Sequence, residues 1–310
     1  MWREICAALG VLILFWNVEN LFDPFDDPLK NDDEFTARAE RHWTWDRFTC
    51  KCDGIAQVVL AAGDAGGDLP ALVGLAEVEN RLVVSRLAGK TVLGELGYGF
   101  VHRESPDERG IDVALLYRKD VFHVVAVVSL RIPGVATRDI LYVRLRCPVK
   151  PGMTEGVKPG MTEEPLHVFV VHLPSKRGGA KQSGSRRDAA LSVLGHVVDS
   201  LLADDAQSRI VVMGDFNDTH PVVPQLARPP FAGQTTTPGT LKYHGRWEQI
   251  DWFFVSPALA DSADMDIFAP PFLLEPDPAW LGVKPRRTYV GPRYNGGLSD
   301  HLPVILRISR

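Results

Sequence analysis

Polar residues able to bind a cation, carry a proton or grip a phosphate interrupt this chain at the ends of apolar runs. Asn17 and Glu19 close one run, Glu77 closes a second, His172 follows Val168 to Val171, and Asp215 and Asn217 follow Ile-Val-Val-Met at 210 to 213. Asp112 and Asp251 sit inside otherwise apolar stretches, and Ser299-Asp300-His301 introduces the last one. A lone buried carboxylate is costly unless it is paired or bound to a cation, so this many exceptions point to one shared site. Carboxylate and amide oxygens suit a hard cation such as Mg²⁺, whereas the histidines are too few and too scattered for a three-His zinc centre. An imidazole beside a carboxylate takes a proton from water near neutral pH; His301 with Asp251 is the candidate pair, and His172 is a candidate hydrogen-bond donor. A cation, neutral donors and an activated water are what phosphoester hydrolysis needs. Taken singly, each residue has a plainer reading. His172 alone would be a core histidine, Asp112 a salt-bridge partner, Glu79 a helix N-terminal acid, and Asp215 to Asn217 an Asx turn.

The elements that must hold these residues follow from the apolar periodicity. Val11 to Asn17 and Ala71 to Val78 read as buried strands, and Arg209 to Met213 as another that Gly214 ends. Asp215 and Asn217 then stand at a strand's carboxyl end, where open sheets present catalytic groups. Between the first two strands, the acidic and aromatic segment 21 to 48 predicts a packed loop and residues 52 to 62 a helix with Ile55, Val58, Val59 and Ala62 on one face. Residues 79 to 96 read as helical, and Tyr98 to His102, Ile111 to Tyr117 and Phe122 to Leu130 as strands. The link Arg118-Lys119-Asp120 has hairpin length. Arg138 to Cys147 and Leu166 to His172 form a further hairpin, whose loop repeats Val-Lys-Pro-Gly-Met-Thr-Glu at 149 to 155 and 157 to 163, a tandem insertion of the kind tolerated at a loop tip. Ser185-Arg186-Arg187-Asp188 is a capping-box variant that opens a helix over Leu191, Leu194, Val197, Val198 and Leu201. Ile250 to Val255 and His301 to Ser309 are the last strands, with an irregular proline-rich stretch from 269 to 295 before the final one.

Nothing in the composition shifts along the 310 residues to mark a linker, so residues 1–310 are expected to form one domain. A net charge of −5 argues against coating nucleic acid or anionic membrane by bulk charge, while leaving room for a local basic cleft. The four cysteines, Cys6, Cys50, Cys52 and Cys147, lack a zinc or disulfide-framework pattern and read as free thiols. Residues 5 to 16 have the length of a signal-peptide core and are too short to span a bilayer. No small-x-small site follows, and cleavage downstream would remove Asn17 and Glu19. A buried first strand and a cytoplasmic chain are therefore expected, with an exported precursor whose start is misassigned as the alternative.

Trp16-Asn17-Val18-Glu19-Asn20, Leu75-Ala76-Glu77, His172-Leu173-Pro174, Gly214-Asp215-Phe216-Asn217, Ile250-Asp251-Trp252 and Ser299-Asp300-His301, in this order, resemble the endonuclease/exonuclease/phosphatase superfamily, whose members include DNase I. Glu77-Val78-Glu79-Asn80 and the run from Arg109 to Tyr117 look like a bacterial branch of it. The resemblance implies a four-layer α/β sandwich, two mixed β-sheets packed face to face with flanking helices. It also implies roles: Glu77 as principal Mg²⁺ ligand with Asn17, Glu19 and Asp300 beside it, and Mn²⁺ as a possible substitute. His301 with Asp251 would activate water, Asp215 would serve as proton donor or alternative base, and Asn217 and His172 would hold the phosphate. Two positions depart from the common pattern, Ala76 where Gln is usual and Glu19 where Asp is frequent; neither removes a ligand.

The substrate is less determined. Lys176, Arg177, Lys181, Arg186 and Arg187 follow His172, and Lys284, Arg286, Arg287 and Arg293 precede Ser299, so two basic clusters should flank the cation. Arg109, Asp112, Lys176, Arg177 and Arg187 are the candidate substrate contacts. Such clusters track a nucleic-acid backbone, and they equally suit an inositol phosphate or a phospholipid head group. A Mg²⁺-dependent endonuclease or related phosphodiesterase is the first expectation, a phosphatase or lipid phosphodiesterase the second. A catalytically dead binding module would have lost ligands, and none is lost. Neither membrane insertion nor a protein partner is implied.

Overall fold

The computed structural model describes residues 10–147, 165–175, 180–233 and 237–309. The tandem repeat, Cys6, Lys176 and Arg177 lie outside these residues. Strand β1 (Val11–Leu21) runs parallel to β2 (Leu72–Val78), and β2 is followed across the sheet by β4 (Asp112–Arg118) and β3 (Tyr98–His102), both in antiparallel pairings. On the other side of β1 lie β11 (Val304–Ile308) and β10 (Ala263–Ile267), giving a mixed six-stranded sheet. A second mixed sheet of five strands has the order β9 (Asp251–Val255), β8 (Arg209–Asp215), β7 (Leu166–His172), β6 (Ile140–Arg146) and β5 (His123–Leu130), with only β7 and β8 parallel.

The sheets face each other and their apolar residues merge in one core, which is why β1, β2, β7 and β8 read as continuous apolar runs rather than alternating ones. Gly74 of β2 gives Met213 of β8 room to cross the interface; a Cβ there would stand 2.6 Å from the Met213 sulfur. Helix α1 (Trp45–Gly66) buries Phe48, Cys52, Ile55, Val59 and Ala62; Thr44 caps its start by accepting from Arg47 N, and Gly67, at φ 85°, ends it. Asn80 caps α2 (Arg81–Lys90) by accepting from Val83 N at 3.0 Å. Helix α3 (Ala180–Asp204) buries Ala190, Leu194 and Val198. The whole is the expected four-layer α/β sandwich.

Several local expectations are corrected. Arg118-Lys119-Asp120 does not join a hairpin: β4 and β5 belong to different sheets, and the turn, braced by Arg118 to Asp120 at 2.7 Å and Asp68 at 2.9 Å, carries the chain across. The helix expected from Ser185 already runs from Ala180. Gly214 continues β8 rather than ending it. Its missing Cβ is required there, because one would overlap Val171 O and Cγ2 on the neighbouring strand. None of Cys50, Cys52 and Cys147 is in a disulfide. Among the described residues no helix is long and apolar enough to cross a membrane.

Candidate active site

The pairing registers bring the predicted residues together from both sheets. In the five-stranded sheet, His172 pairs with Asp215 and Asp215 with Asp251, so three strand ends place these side chains in one row. In the six-stranded sheet, β1 and β2 each break register just where Asn17 to Asn20 and Glu77 occur. Glu19, Asn20 and Glu77 adopt left-handed backbone at φ 49°, 54° and 63°, a conformation that non-glycine residues keep only where the surroundings enforce it. The irregularity turns Glu77 toward the seam: its Oε2 accepts from Asn20 N at 2.9 Å and its Oε1 from the Asn17 amide at 3.3 Å.

Asn17 ties the two sheets. Its Nδ2 also donates to Asp215 Oδ2 at 3.1 Å, and the same oxygen is approached by His172 Nε2 at 3.6 Å and His301 Nε2 at 4.0 Å. His172 Nε2 also lies 3.9 Å from Glu77. His301 Nδ1 bonds Asp251 Oδ2 at 2.9 Å, an oxygen that further accepts from Thr240 Oγ1. The backbone around His301 is pinned by its N–H to Ser299 Oγ at 3.0 Å and by Trp16 Nε1 to its carbonyl at 2.9 Å. Asn217 is held by its N–H to Asp215 Oδ1 at 2.8 Å and by its amide to Leu173 O at 2.9 Å.

Burial sets the charge states. Desolvation and the neighbouring Asp251 raise the Asp215 carboxyl to about 7, against the pull of His301 and two hydrogen bonds. For His301 burial opposes the imidazolium, but Asp251 and Asp215 outweigh it and hold the ring well above its ordinary range. His172 moves the other way, pushed well below by burial and by Arg138 and Arg109, so it is neutral. Its Nδ1 is buried without a hydrogen-bond partner among the described residues.

Glu19 departs from its expected surroundings. Arg287 grips its Oε1 at 2.8 and 3.0 Å and Thr288 N its Oε2 at 2.8 Å, while Arg287 also reaches Asp300 at 3.2 Å. Burial and Asp300 raise the Glu19 carboxyl to about 7. Glu77, in contrast, is bridged by no lysine or arginine among the described residues. A carboxylate met only by neutral donors, the Asn17 amide nitrogen and Asn20 N, with no lysine or arginine to balance it, is an oxygen ligand that fits a hard divalent cation; Asn17 Oδ1, which accepts from Glu19 N at 3.0 Å, would join it if the amide turned. A place for Glu19 in that set requires Arg287 to give way.

The remaining candidates are distributed around the site. Arg109 bonds Asp107 at 3.3 Å and lines a 420 Å³ cavity shared with Thr137, Arg138, Pro174 and Arg186. Arg187 is buried and donates to Pro174 O at 3.2 Å, so it braces the segment after His172 rather than facing this cavity. Asp112 stands apart, beside His102 and Glu104. Two residues escape the sequence reading. Buried Arg138 donates to His172 O at 3.1 Å, Leu173 O at 2.7 Å and Asp107 at 3.0 Å. Buried Lys51, lowered to about 8 by desolvation, donates to Glu19 O and to Thr288 Oγ1 at 2.7 Å. A lysine four residues before Ile55, on the apolar face of α1, is the signal that could have found it.

Solved structures with this fold include truncated Caenorhabditis elegans TDP2, at TM-score 0.62 and 15% identity, covering 98% of this chain and 99% of that one. A mannosyl-6-phosphatase of Bacteroides thetaiotaomicron matches at 0.58 and 17%, covering 96% and 98%. The human Nocturnin catalytic domain with bound sulfate anion matches at 0.56 and 16%, covering 98% and 94%. No curated protein matches the sequence. The sequence pattern of the Endonuclease/Exonuclease/phosphatase family matches residues 12–228 and 230–310, and with both sheets and the motif residues in place the chain belongs to that family.

Proposed function

We propose that this chain is a divalent-cation-dependent phosphoesterase that hydrolyses nucleic-acid phosphodiester bonds. The observation that carries the reading is the convergence of Asn17, His172 and His301 on one oxygen of Asp215, with Glu77 facing them from the other sheet. Mg²⁺, with Mn²⁺ as substitute, would be held by Glu77 and Asn17, joined by Asp300 and by Glu19 once Arg287 moves; it would offset charge on the phosphoryl oxygens. His172 and Asn217 grip those oxygens as neutral donors. The charge states support a division of the proton roles. His301, kept protonated by Asp251, is the cationic donor, and Asp215, titrating near 7, is the group that accepts a proton from water. Of the two expectations from sequence, this takes Asp215 as the base and leaves His301 as the donor.

The cavity lined by Arg109 and Arg186 supports a substrate that extends beyond the scissile phosphate, as a polynucleotide does. The alternative is a phosphatase or lipid phosphodiesterase acting on inositol phosphates or sphingomyelin-type head groups; the likeness to a mannosyl-6-phosphatase favours the phosphatase version. Incubation with Mg²⁺ and plasmid DNA, RNA, sphingomyelin and a phosphoinositide, beside Glu77→Gln and His301→Ala controls, separates these. Nicking of plasmid that both substitutions abolish is expected. Cleavage confined to the lipid or inositol substrates would sink the nuclease reading, and activity surviving both substitutions would sink the site.

A further inference from the structure

A second group of side chains of metal-ligating type lies one strand outward from Glu77, and the proposed hydrolysis does not use it. Asp112 opens β4 opposite Val78, the residue after Glu77, while His102 closes β3 opposite Ala114. Side chains two residues apart share a face of a strand, so Asp112 and His102 meet on one side of the sheet. His102 Nε2 stands 3.5 Å from Asp112 Oδ2, and His102 Nδ1 stands 3.8 Å from Glu104 Oε1. One ligand atom from each of the three residues lies within 4.8 Å of the other two. His102 and Asp112 are each only 3% exposed, and Glu104 stands open to solvent.

These distances are too long for hydrogen bonds, and His102 Nε2 is buried with no hydrogen-bond partner among the described residues. The group is also short of positive charge. Two carboxyl groups crowd one imidazole: burial and the nearness of Asp112 push the Glu104 carboxyl up against the pull of His102, so acid is gathered here with little to offset it, which is costly in a partly buried place. A divalent cation balances both carboxylates and gives the orphaned nitrogen a partner while the ring stays neutral. Ligands bound at about 2.1 Å in tetrahedral array stand roughly 3.4 Å from one another. The 3.5 Å between His102 Nε2 and Asp112 Oδ2 matches that spacing. The remaining slack falls on Glu104, the exposed and movable member.

We propose that His102, Glu104 and Asp112 form a second cation site that takes a first-row divalent metal, Mn²⁺ or Zn²⁺. The imidazole nitrogen selects these over Mg²⁺, which prefers an all-oxygen set. Bound there, the metal clips together the two ends of the loop 103–111. That loop carries Arg109 to the cavity and supplies Asp107, whose carboxylate fixes Arg138, the residue that holds the His172 and Leu173 carbonyls. The site is structural, and its effect on the catalytic row runs through this chain of contacts.

The test is Mn²⁺ titration of the full chain, followed by electron paramagnetic resonance and calorimetry, for wild type, Glu77→Gln, Glu104→Gln and Asp112→Asn. A Mn²⁺ site that persists in Glu77→Gln and weakens at least tenfold in both Glu104→Gln and Asp112→Asn is expected, with Zn²⁺ displacing the Mn²⁺ and millimolar Mg²⁺ failing to do so. Glu104→Gln alters an exposed side chain, so a folding defect in Asp112→Asn does not blur the outcome. Unchanged affinity and stoichiometry in Glu104→Gln, or loss of all Mn²⁺ binding in Glu77→Gln, would overturn the proposal. Failure of the catalytic-cation reading shows separately, as the absence of any site that depends on Glu77.

Discussion

Two residues make charge states that are open to direct measurement. Asp251 is the chief reason that His301 keeps its proton, through a 2.9 Å hydrogen bond and its charge. Asp251→Asn keeps the shape and removes the charge, so the His301 pKa falls. If the imidazolium is needed, the alkaline limb of kcat/KM against pH moves to lower pH in the variant, measured with bis(p-nitrophenyl) phosphate and Mg²⁺. A limb that stays in place would return the base role to His301. Glu79 makes a stability prediction of opposite use. Burial, reinforced by Asp23, raises its carboxyl from 4.5 to about 8, even though its Oε2 accepts from Asp23 N at 2.7 Å. The folded chain therefore holds a proton that the unfolded chain releases above 4.5. Its contribution to stability is complete below that pH, shrinks as the pH rises to about 8, and is gone beyond. Glu79→Gln keeps an acceptor for Asp23 N without the titration. The melting temperature of wild type relative to the variant should fall across that window and then level off; a difference independent of pH would show that Glu79 is ionised throughout.

At the scale of elements, the site is made by strand ends, and the close approach of β7 and β8 is its least forgiving joint. Gly214→Ala forces a methyl group into Val171 just before the His172–Asp215 pair. Overpacking typically costs about 1–3 kcal/mol, and a clash with backbone belongs at the upper end. A lowered urea midpoint and a loss of activity at temperatures where the variant is still folded are expected together. Helix α1 acts on the other sheet through Lys51, whose ammonium holds the Glu19 carbonyl and so the turn that presents Asn20 N to Glu77. Lys51→Met should raise the Mg²⁺ concentration needed for half-maximal activity about tenfold or more, the usual effect of losing a supporting contact behind a metal ligand. The strands and the row of polar residues that they bring together were legible in the sequence because buried strands write themselves as apolar runs and polar residues at their ends stand out. Elements whose partners are remote were not. Arg118 to Asp120 looks like a hairpin because turn length is local, while the sheet that each strand joins is decided by pairing far along the chain. Lys51, Arg138 and the Glu19–Arg287 pair were invisible for the same reason: their partners lie 32, 34 and 268 positions away.

At the scale of the molecule, the site is a seam. Asn17 and Glu77 come from one sheet, His172, Asp215 and Asp251 from the other, and His301 from the turn before β11 that Trp16 pins. Chemistry at the seam needs little from the surface, but substrate choice depends on it, and there the net charge of −5 matters. A polynucleotide gains no general attraction from such a protein, so its binding must rest on local cations. Among the described residues Arg109 and Arg186 are the cavity cations not committed to the backbone contacts that occupy Arg138. Each phosphate neutralised contributes about −0.9 to the slope of log K against log salt for duplex DNA. Binding of duplex DNA by Glu77→Gln, which should not cleave it, can be followed by fluorescence anisotropy from low to moderate salt. Arg109→Gln and Arg186→Gln should each reduce the slope by about one, with affinity lost evenly across sequences because phosphates carry no base information. A slope that neither substitution changes would place nucleic acid elsewhere on the surface and leave the cavity to a smaller phosphoester.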